Sequence, residues 1–273
     1  MDRTSATEAR VAVVTGAASG IGEQLALRLA GARRLMLLDR DRARLEQVCR
    51  QVGPHAEPVL VDLADRAALA EVCRDLSRDV PMVDLLVLNA GVGLVGRLND
   101  LDDADLDHLI DVNLRAPMVI ARALLPAVVA ARGRILVTSS LSGLVGASGQ
   151  VPYCATKAGV RGFADALRAE VKAEGVSVTV AFPGGVRTSM ASHARRGART
   201  TAAAMAHNQA LADRLLTRDA GDVAAAMLHA THARRRRVVI GWDARAVDLV
   251  SRLSPGLAGM VAERLAARTT PVG

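Results

Sequence analysis

The sequence predicts an α/β/α domain: a seven-stranded, doubly wound parallel sheet with helices on both faces. Three observations carry that prediction. Short apolar runs alternate with amphipathic stretches of helical length, which is the pattern of a parallel sheet wrapped in crossover helices. The apolar runs are nearly continuous rather than alternating, as strands covered on both faces require. A glycine-rich turn, Thr15-Gly16-Ala17-Ala18-Ser19-Gly20-Ile21-Gly22, joins the first run to the first helical stretch.

The expected strands are Val11–Val14, Leu35–Leu38, Pro58–Val61, Val83–Leu88, Arg134–Thr138, Ser177–Ala181 and Val238–Ile240. Their crossovers should be right-handed. There is no internal repeat, and residues 1–273 read as one domain. Residues 184–218 break the rhythm. They are basic and rich in small residues (His193, Arg195, Arg196, Arg199), and a long insertion of this kind reads as a lid over a binding site. Residues 241–273 read as a C-terminal helical extension, in which Val247, Val250, Leu253 and Leu257 recur at helical spacing. That stripe reads as packing onto the domain, with a lipid-facing or partner-facing helix as the alternative.

Composition narrows the class. With 51% hydrophobic and 23% charged residues the chain is globular. Its four aromatics are Tyr153, Phe163, Phe182 and Trp242, so the core must be aliphatic. That scarcity argues against a protein that stacks nucleic-acid bases on rings. The net charge of +7 reads as a generally arginine-rich surface, and the run Arg234–Arg237 as a solvated turn. Cys49, Cys73 and Cys154 have no Cys-x-x-Cys spacing, which suits a reducing compartment and gives no sign of a disulfide framework or metal site. The polar N-terminus does not read as a signal peptide. The most apolar stretch, Met118 to Ala131, is broken by Arg122 and Pro126, so no transmembrane segment is expected, and the chain reads as cytoplasmic.

The nucleotide end lies where the strands finish. Glycines after the first strand let the backbone approach a pyrophosphate, and the following helix N-terminus supplies amide donors. Asp39, at the end of the second strand, stands at the distance expected of an acid that accepts from a ribose 2′-hydroxyl, which favours NAD. Arg40 beside it could meet the 2′-phosphate of NADP, so NADP is the alternative. Asp62 ends the third strand and could accept from an adenine amino group, and Asn89-Ala90-Gly91 ends the fourth at the same edge.

The chemical end is Tyr153-Cys154-Ala155-Thr156-Lys157. It contains the single tyrosine and one of two lysines, four residues apart and so on one helix face. An ammonium beside a phenol is expected to lower the phenol's pKa from about 10 and suit it to acid–base work near neutral pH.

With Asn113 in a helix and Ser140 at the end of the fifth strand, these motifs resemble the short-chain dehydrogenase/reductase superfamily in its single-domain, Rossmann-type form. The resemblance runs from about Val11 to Ile240 and also includes Pro183-Gly184. It implies an oxidoreductase that moves hydride between a nicotinamide cofactor and a secondary alcohol or ketone. Tyr153 would be the acid–base catalyst. Lys157 would lower its pKa and hold the nicotinamide ribose, Ser140 would bind the substrate oxygen, and Asn113 would hold a water leading to Lys157. The cofactor-facing set would be Gly16, Ser19, Gly20, Ile21, Gly22, Asp39, Arg40, Asp62, Leu63, Asn89, Ala90, Gly91, Tyr153, Lys157, Pro183, Gly184, Val186 and Thr188. The substrate would meet Ser140, Leu141, Leu144, Val145, Tyr153 and Met190, with Val92, Leu94 and Val186 nearby. This apolar lining points to a steroid-, terpenoid- or acyl-like compound. A homodimer or homotetramer through the stretches near Ala116–Arg132 and Val151–Glu174 is implied as well.

Two departures from the family pattern stand out: the doubled glycine Gly184-Gly185, and Ala116-Pro117 after Asn113. The alternatives to an NAD-dependent dehydrogenase are an NADPH-dependent ketone or 3-oxoacyl reductase, a dinucleotide sensor without catalysis, and a protein that uses its positive charge on nucleic acid or a membrane surface.

Overall fold

The computed structural model describes residues 10–188, 190, 194–196, 216–254 and 256. The main sheet contains β1 (Val11–Thr15), β2 (Arg34–Asp39), β3 (Ala56–Leu60), β4 (Leu85–Leu88), β6 (Arg134–Thr138), β7 (Ser177–Pro183) and β9 (Arg237–Ile240). All pair in parallel, in the order β3-β2-β1-β4-β6-β7-β9. The strand order reverses between β1 and β4, which makes the carboxyl edge there the crevice where ligands of such sheets bind.

Apolar strand residues alternate between two cores. On one face Val13, Leu86, Val137 and Val180 pack with Leu69, Ile120 and Val160. On the other Val14, Leu37, Val87 and Leu136 pack with Leu25, Val48 and Met227. The first layer is built by α3 (Arg66–Asp79), α5 (Ala116–Ala130) and α6 (Val151–Glu170), and the second by α1 (Gly20–Leu29), α2 (Arg42–Val52) and α7 (Ala220–His232). Helix starts are marked by aspartates whose side chains accept first-turn amides, as caps do. Asp41 accepts from Arg44, Asp65 from Ala67 and Ala68, and Asp219 from Gly221 and Asp222.

Several boundaries differ from the sequence expectation. The third strand begins at Ala56, and the fourth begins at Leu85, with the Val83 amide bonded to Ala127 of α5 instead of to a neighbouring strand. The sixth runs on to Pro183, whose missing N–H is harmless at a strand end. Two short strands were not anticipated. β5 (Leu94–Val95) pairs with β8 (Arg195–Arg196), and this tethers part of the expected lid to the segment after Gly91. Residues 184–188, 190 and 216–218 of the lid are also described, whereas His193 and Arg199 lie outside the described residues, as does Leu257 of the C-terminal stripe.

α4 (Asp103–Ile110) continues through a π-helical turn, Asp111–Arg115, into α5. Asn113 therefore occupies a wide turn rather than a regular helix, and Pro117, which has no N–H to donate, follows just after that turn. The combined run Asp103–Ala130 is long and apolar enough, by length and composition, to cross a membrane, with mean hydropathy 1.5 over its most apolar window. Half of that window is buried inside the protein, where α5 packs against α3. The polar breaks noted in the sequence do not remove this apolar character, and core packing accounts for it. The chain ends its described part in α8 (Trp242–Leu253), which packs against β9.

Leu86 is fully buried in the first layer. Leu86→Ala is expected to lower the unfolding free energy by about 3 kcal/mol, read as a lower urea midpoint with an unchanged slope.

Candidate active site

The crevice is organised by hydrogen bonds among strand ends. The Thr15 hydroxyl donates to Val87 O and accepts from the amides of Asn89 and Ala90 at 3.0 and 3.1 Å. The Asn89 side chain donates to Thr15 O at 3.3 Å and accepts from the Thr138 hydroxyl at 3.2 Å. One asparagine thus joins the carboxyl ends of β1, β4 and β6.

The glycine turn rests on this frame. A Cβ on Gly22 would stand 1.8 Å from the Gly16 carbonyl oxygen, so the turn closes only without a side chain there. Ser19 precedes α1 in an extended conformation and, unlike the aspartates above, makes no side-chain cap. The first-turn amides of Ile21 and Gly22 are therefore left without that partner, and an uncapped helix start behind a tight glycine turn fits a pyrophosphate. Thr188 closes over the turn, its methyl 3.0 Å from where a Gly20 Cβ would stand.

Asp39 is anchored at the end of β2. One oxygen accepts from Ala18 N at 3.0 Å, and the other from Arg40 N and Asp41 N at 2.7 and 3.1 Å. Arg40 reaches across to Asp62 at 3.7 Å, and Asp62 also accepts from Ala64 N. The side chain of Leu63 is buried in the first core layer. The adenosine-side residues named from the sequence are therefore gathered on one edge, with Arg40 turned toward a carboxylate.

At the other end Tyr153, Lys157 and Asn113 are all buried. Lys157 Nζ donates to Thr138 O at 3.2 Å and lies 5.8 Å from the centre of the Tyr153 ring. A Cβ on Gly91 would stand 3.1 Å from that Nζ and 3.4 Å from Asn113 Oδ1, so the Asn89-Ala90-Gly91 turn and both side chains meet at one point. The amide of Asn113 is held by Val92, accepting from its N–H at 2.8 Å and donating to its carbonyl at 2.9 Å. Ser140 caps the short turn Leu141–Gly143 by accepting from Ser142 N, and its hydroxyl lies near enough to Tyr153 to favour the phenolate.

The expected fall in the phenol's pKa does not hold in the free protein. Burial pushes Tyr153 up to about 12, opposed in part by the nearby Ser140 hydroxyl. Burial also pushes Lys157 down to about 8. Desolvation disfavours the charged form of each buried group, and Nζ is turned to the Thr138 carbonyl.

The substrate-side residues divide. Tyr153 packs in a small apolar cluster with Leu94, Leu101 and Leu109, flanked by Val92 and Leu106. Leu101, Leu106 and Leu109 were missed from the sequence, where their spacing reads as ordinary helix packing. Leu141 and Val145 are half-buried around the 3₁₀ turn, Leu144 packs on the first core layer, and Met190 is exposed. Val186 belongs to the second core layer, across the sheet from the Tyr153 cluster, and so does not join that cluster's wall.

A clamp on the Pro183–Val186 segment was also missed. Asp243, in the first turn of α8, pairs with Arg218 at 2.7 Å and accepts from Gly185 N, while Arg218 donates to Gly185 O. A Cβ on Gly184 would stand 2.5 Å from both Asp243 oxygens, which accounts for a glycine there. Nothing in the local sequence marks a pairing that crosses the whole insertion.

Residues 10–199 match the family described as short chain dehydrogenase. A Mycobacterium tuberculosis protein carrying the name oxidoreductase SadH is 34% identical over 260 residues, covering 91% of this chain and 92% of its own. A metagenomic short-chain oxidoreductase solved in complex with NADP superposes with a TM-score of 0.68 at 30% identity, covering 85% of this chain and 96% of that one. A Burkholderia phymatum short-chain dehydrogenase/reductase solved with NAD superposes with a TM-score of 0.82 over 92% of this chain and 95% of that one. At 24% identity it speaks to the fold alone. The match to the family across most of the chain, on a seven-stranded parallel sheet with this strand-end crevice, places the protein among the short-chain dehydrogenases, as an oxidoreductase.

Proposed function

We propose that this protein oxidises and reduces a lipophilic secondary alcohol/ketone pair with a nicotinamide dinucleotide, NAD in preference to NADP, and that Tyr153 is its acid–base group. The observation that carries the reading is the seat of Tyr153. A phenol near Ser140 stands against an aliphatic wall of Leu94, Leu101 and Leu109, beside a buried lysine.

The uncapped start of α1, the glycine turn and the Pro183–Thr188 segment would hold the dinucleotide. A nicotinamide bound there supplies hydride transfer at the carbinol carbon. Ser140 would hold the substrate oxygen, and Tyr153 would take the hydroxyl proton in oxidation or return it in reduction. A phenol with a pKa near 12 is protonated at neutral pH, so the free protein is set to donate. Oxidation requires that proton to leave, so the oxidative rate should rise with pH while the reductive rate stays flat through neutrality. Asn113 would hold a water leading to Lys157, and the two side chains meet at Gly91.

The NAD preference is supported by the Asp39 carboxylate at the end of β2 and by the engagement of Arg40 with Asp62, which leaves the guanidinium less free for a 2′-phosphate. The NADP complex of a 30% identical structure favours the other choice and makes cofactor the first control. Three cysteines without disulfides suit a cytoplasmic setting. Exposed Met118 on α5 and Val151 on α6 suit association through those helices, as a dimer or tetramer.

The test is nicotinamide reduction on a panel of lipophilic secondary alcohols with NAD and with NADP. Tyr153→Phe is expected to lower kcat by about 10²–10⁴-fold, with dinucleotide affinity kept. Retained activity in that variant would remove the tyrosine from the chemistry. Asp39→Ala should cut the NAD-over-NADP ratio of kcat/KM by about tenfold or more, the loss of one charge-assisted hydrogen bond.

Lys157 offers a separate check. Its pKa is lowered in the fold, so the protonated form is disfavoured. The penalty is complete below about pH 8 and is relieved as pH rises toward 10.5. Lys157→Met should therefore be inactive yet more stable at pH 7 by on the order of 2 kcal/mol. In thermal melts that gain should shrink above pH 8.

A further inference from the structure

α8 divides its side chains by charge. Its two acids face the protein, Asp243 paired with Arg218 and Asp248 with Arg237. Its outward face carries Trp242, 80% exposed, Leu249, 59% exposed, and Leu253, 77% exposed, with exposed Ala246 between them. The spacing of four, three and four residues puts them on one stripe. Two cations border the stripe: Arg245 is exposed, and Arg252 is two-thirds exposed and 3.7 Å from an Asp248 that Arg237 already holds. Exposed Arg234, Arg235 and Arg236 precede β9, against which α8 packs.

We propose that this face docks on an anionic lipid bilayer, with α8 lying in the interface plane. A helix with an indole and leucines on one stripe, flanked by arginines and free of outward acids, is built for that boundary. Water leaves the leucines unrewarded, and the indole ring suits the headgroup level. The positive border selects the occupant. Exposed arginines near an anionic surface each contribute attraction on the order of 1 kcal/mol, whereas a second copy of this face would bring the same cations against one another.

Trp242 is the chain's single tryptophan, so its emission reports on this face alone. The full chain is titrated with phosphatidylglycerol vesicles and, in parallel, with phosphatidylcholine vesicles. The expected result is a shift to shorter wavelength with phosphatidylglycerol, quenching by brominated acyl chains, and partitioning about tenfold or more weaker on phosphatidylcholine. Leu249→Glu combined with Leu253→Glu should weaken partitioning by about tenfold or more, with melting temperature unchanged because both side chains are exposed. Four results would overturn the proposal. They are no shift with phosphatidylglycerol, equal binding to both lipids, a blue-shifted emission already present without lipid (the face covered by the chain itself), and a lipid-free shift that grows with protein concentration (a second copy).

Discussion

The carboxyl edge of the sheet depends on a single side chain, Asn89. Parallel strands end in backbone groups that the ladder no longer satisfies, and a buried unpaired group is costly. Thr15 uses its whole inventory on this problem, one donor to Val87 and two acceptor positions for the amides of Asn89 and Ala90. Asn89 then spans β1 and β6, binding Thr15 O with its nitrogen and the Thr138 hydroxyl with its oxygen. The glycine turn leaves directly from Thr15, and Lys157 is fixed on Thr138 O. The two ends of the crevice therefore share one ruler, and a shift of Asn89 would move both together.

What that ruler holds in place is costly to hold. Lys157 is nearly sealed from water and has a carbonyl rather than a carboxylate for company. Tyr153 is enclosed by leucines. Ionising either group alone in such surroundings is unfavourable, and the two shifts oppose each other, the phenol moving up and the ammonium down. The phenol therefore keeps its proton through neutral pH, while the ammonium is held at a cost. Asn113 cannot swing to compensate, because both ends of its amide are held by Val92, and the π turn gives that amide its reach. Preorganisation of this kind trades stability for geometry.

The sheet was legible because burial on two faces leaves a plain mark, an unbroken apolar run such as Leu85–Leu88 between polar turns. Its borders were less so. Val83 is apolar and buried yet bonds outside the β4 ladder, and hydropathy does not distinguish the two cases. Tyr153 and Lys157 could be paired because their spacing is local, whereas Asn113 and Ser140 could be named only through the family resemblance. The protonation of the Tyr153–Lys157 pair could not be read, since four-residue spacing gives proximity and says nothing of desolvation. Leu101 and Leu109 were invisible as neighbours of Tyr153, and Val186 looked like one, because hydrophobicity does not say which side of the sheet a side chain takes. The two-residue pairing of β5 with β8 carries no periodicity at all.

The clamp on Gly184 and the exposed stripe on α8 have one origin. Trp242 and Asp243 are consecutive, and on a helix consecutive side chains diverge by about 100°, so a single turn can address the crevice and the solvent at once. Asp243 is drawn inward by Arg218 and the Gly185 amide, and Asp248, further along the helix, by Arg237. These arginines come from the end of the insertion and from β9, so the body of the protein removes every acid from the outer face of α8. An apolar stripe with a cationic border is what remains. The same pairings fix the Pro183–Val186 segment against the sheet edge, with Gly184 leaving room for the carboxylate. The helix is thus held by the very contacts that shape the crevice, and its outer face cannot tilt without moving Asp243 against the backbone of Gly184 and Gly185.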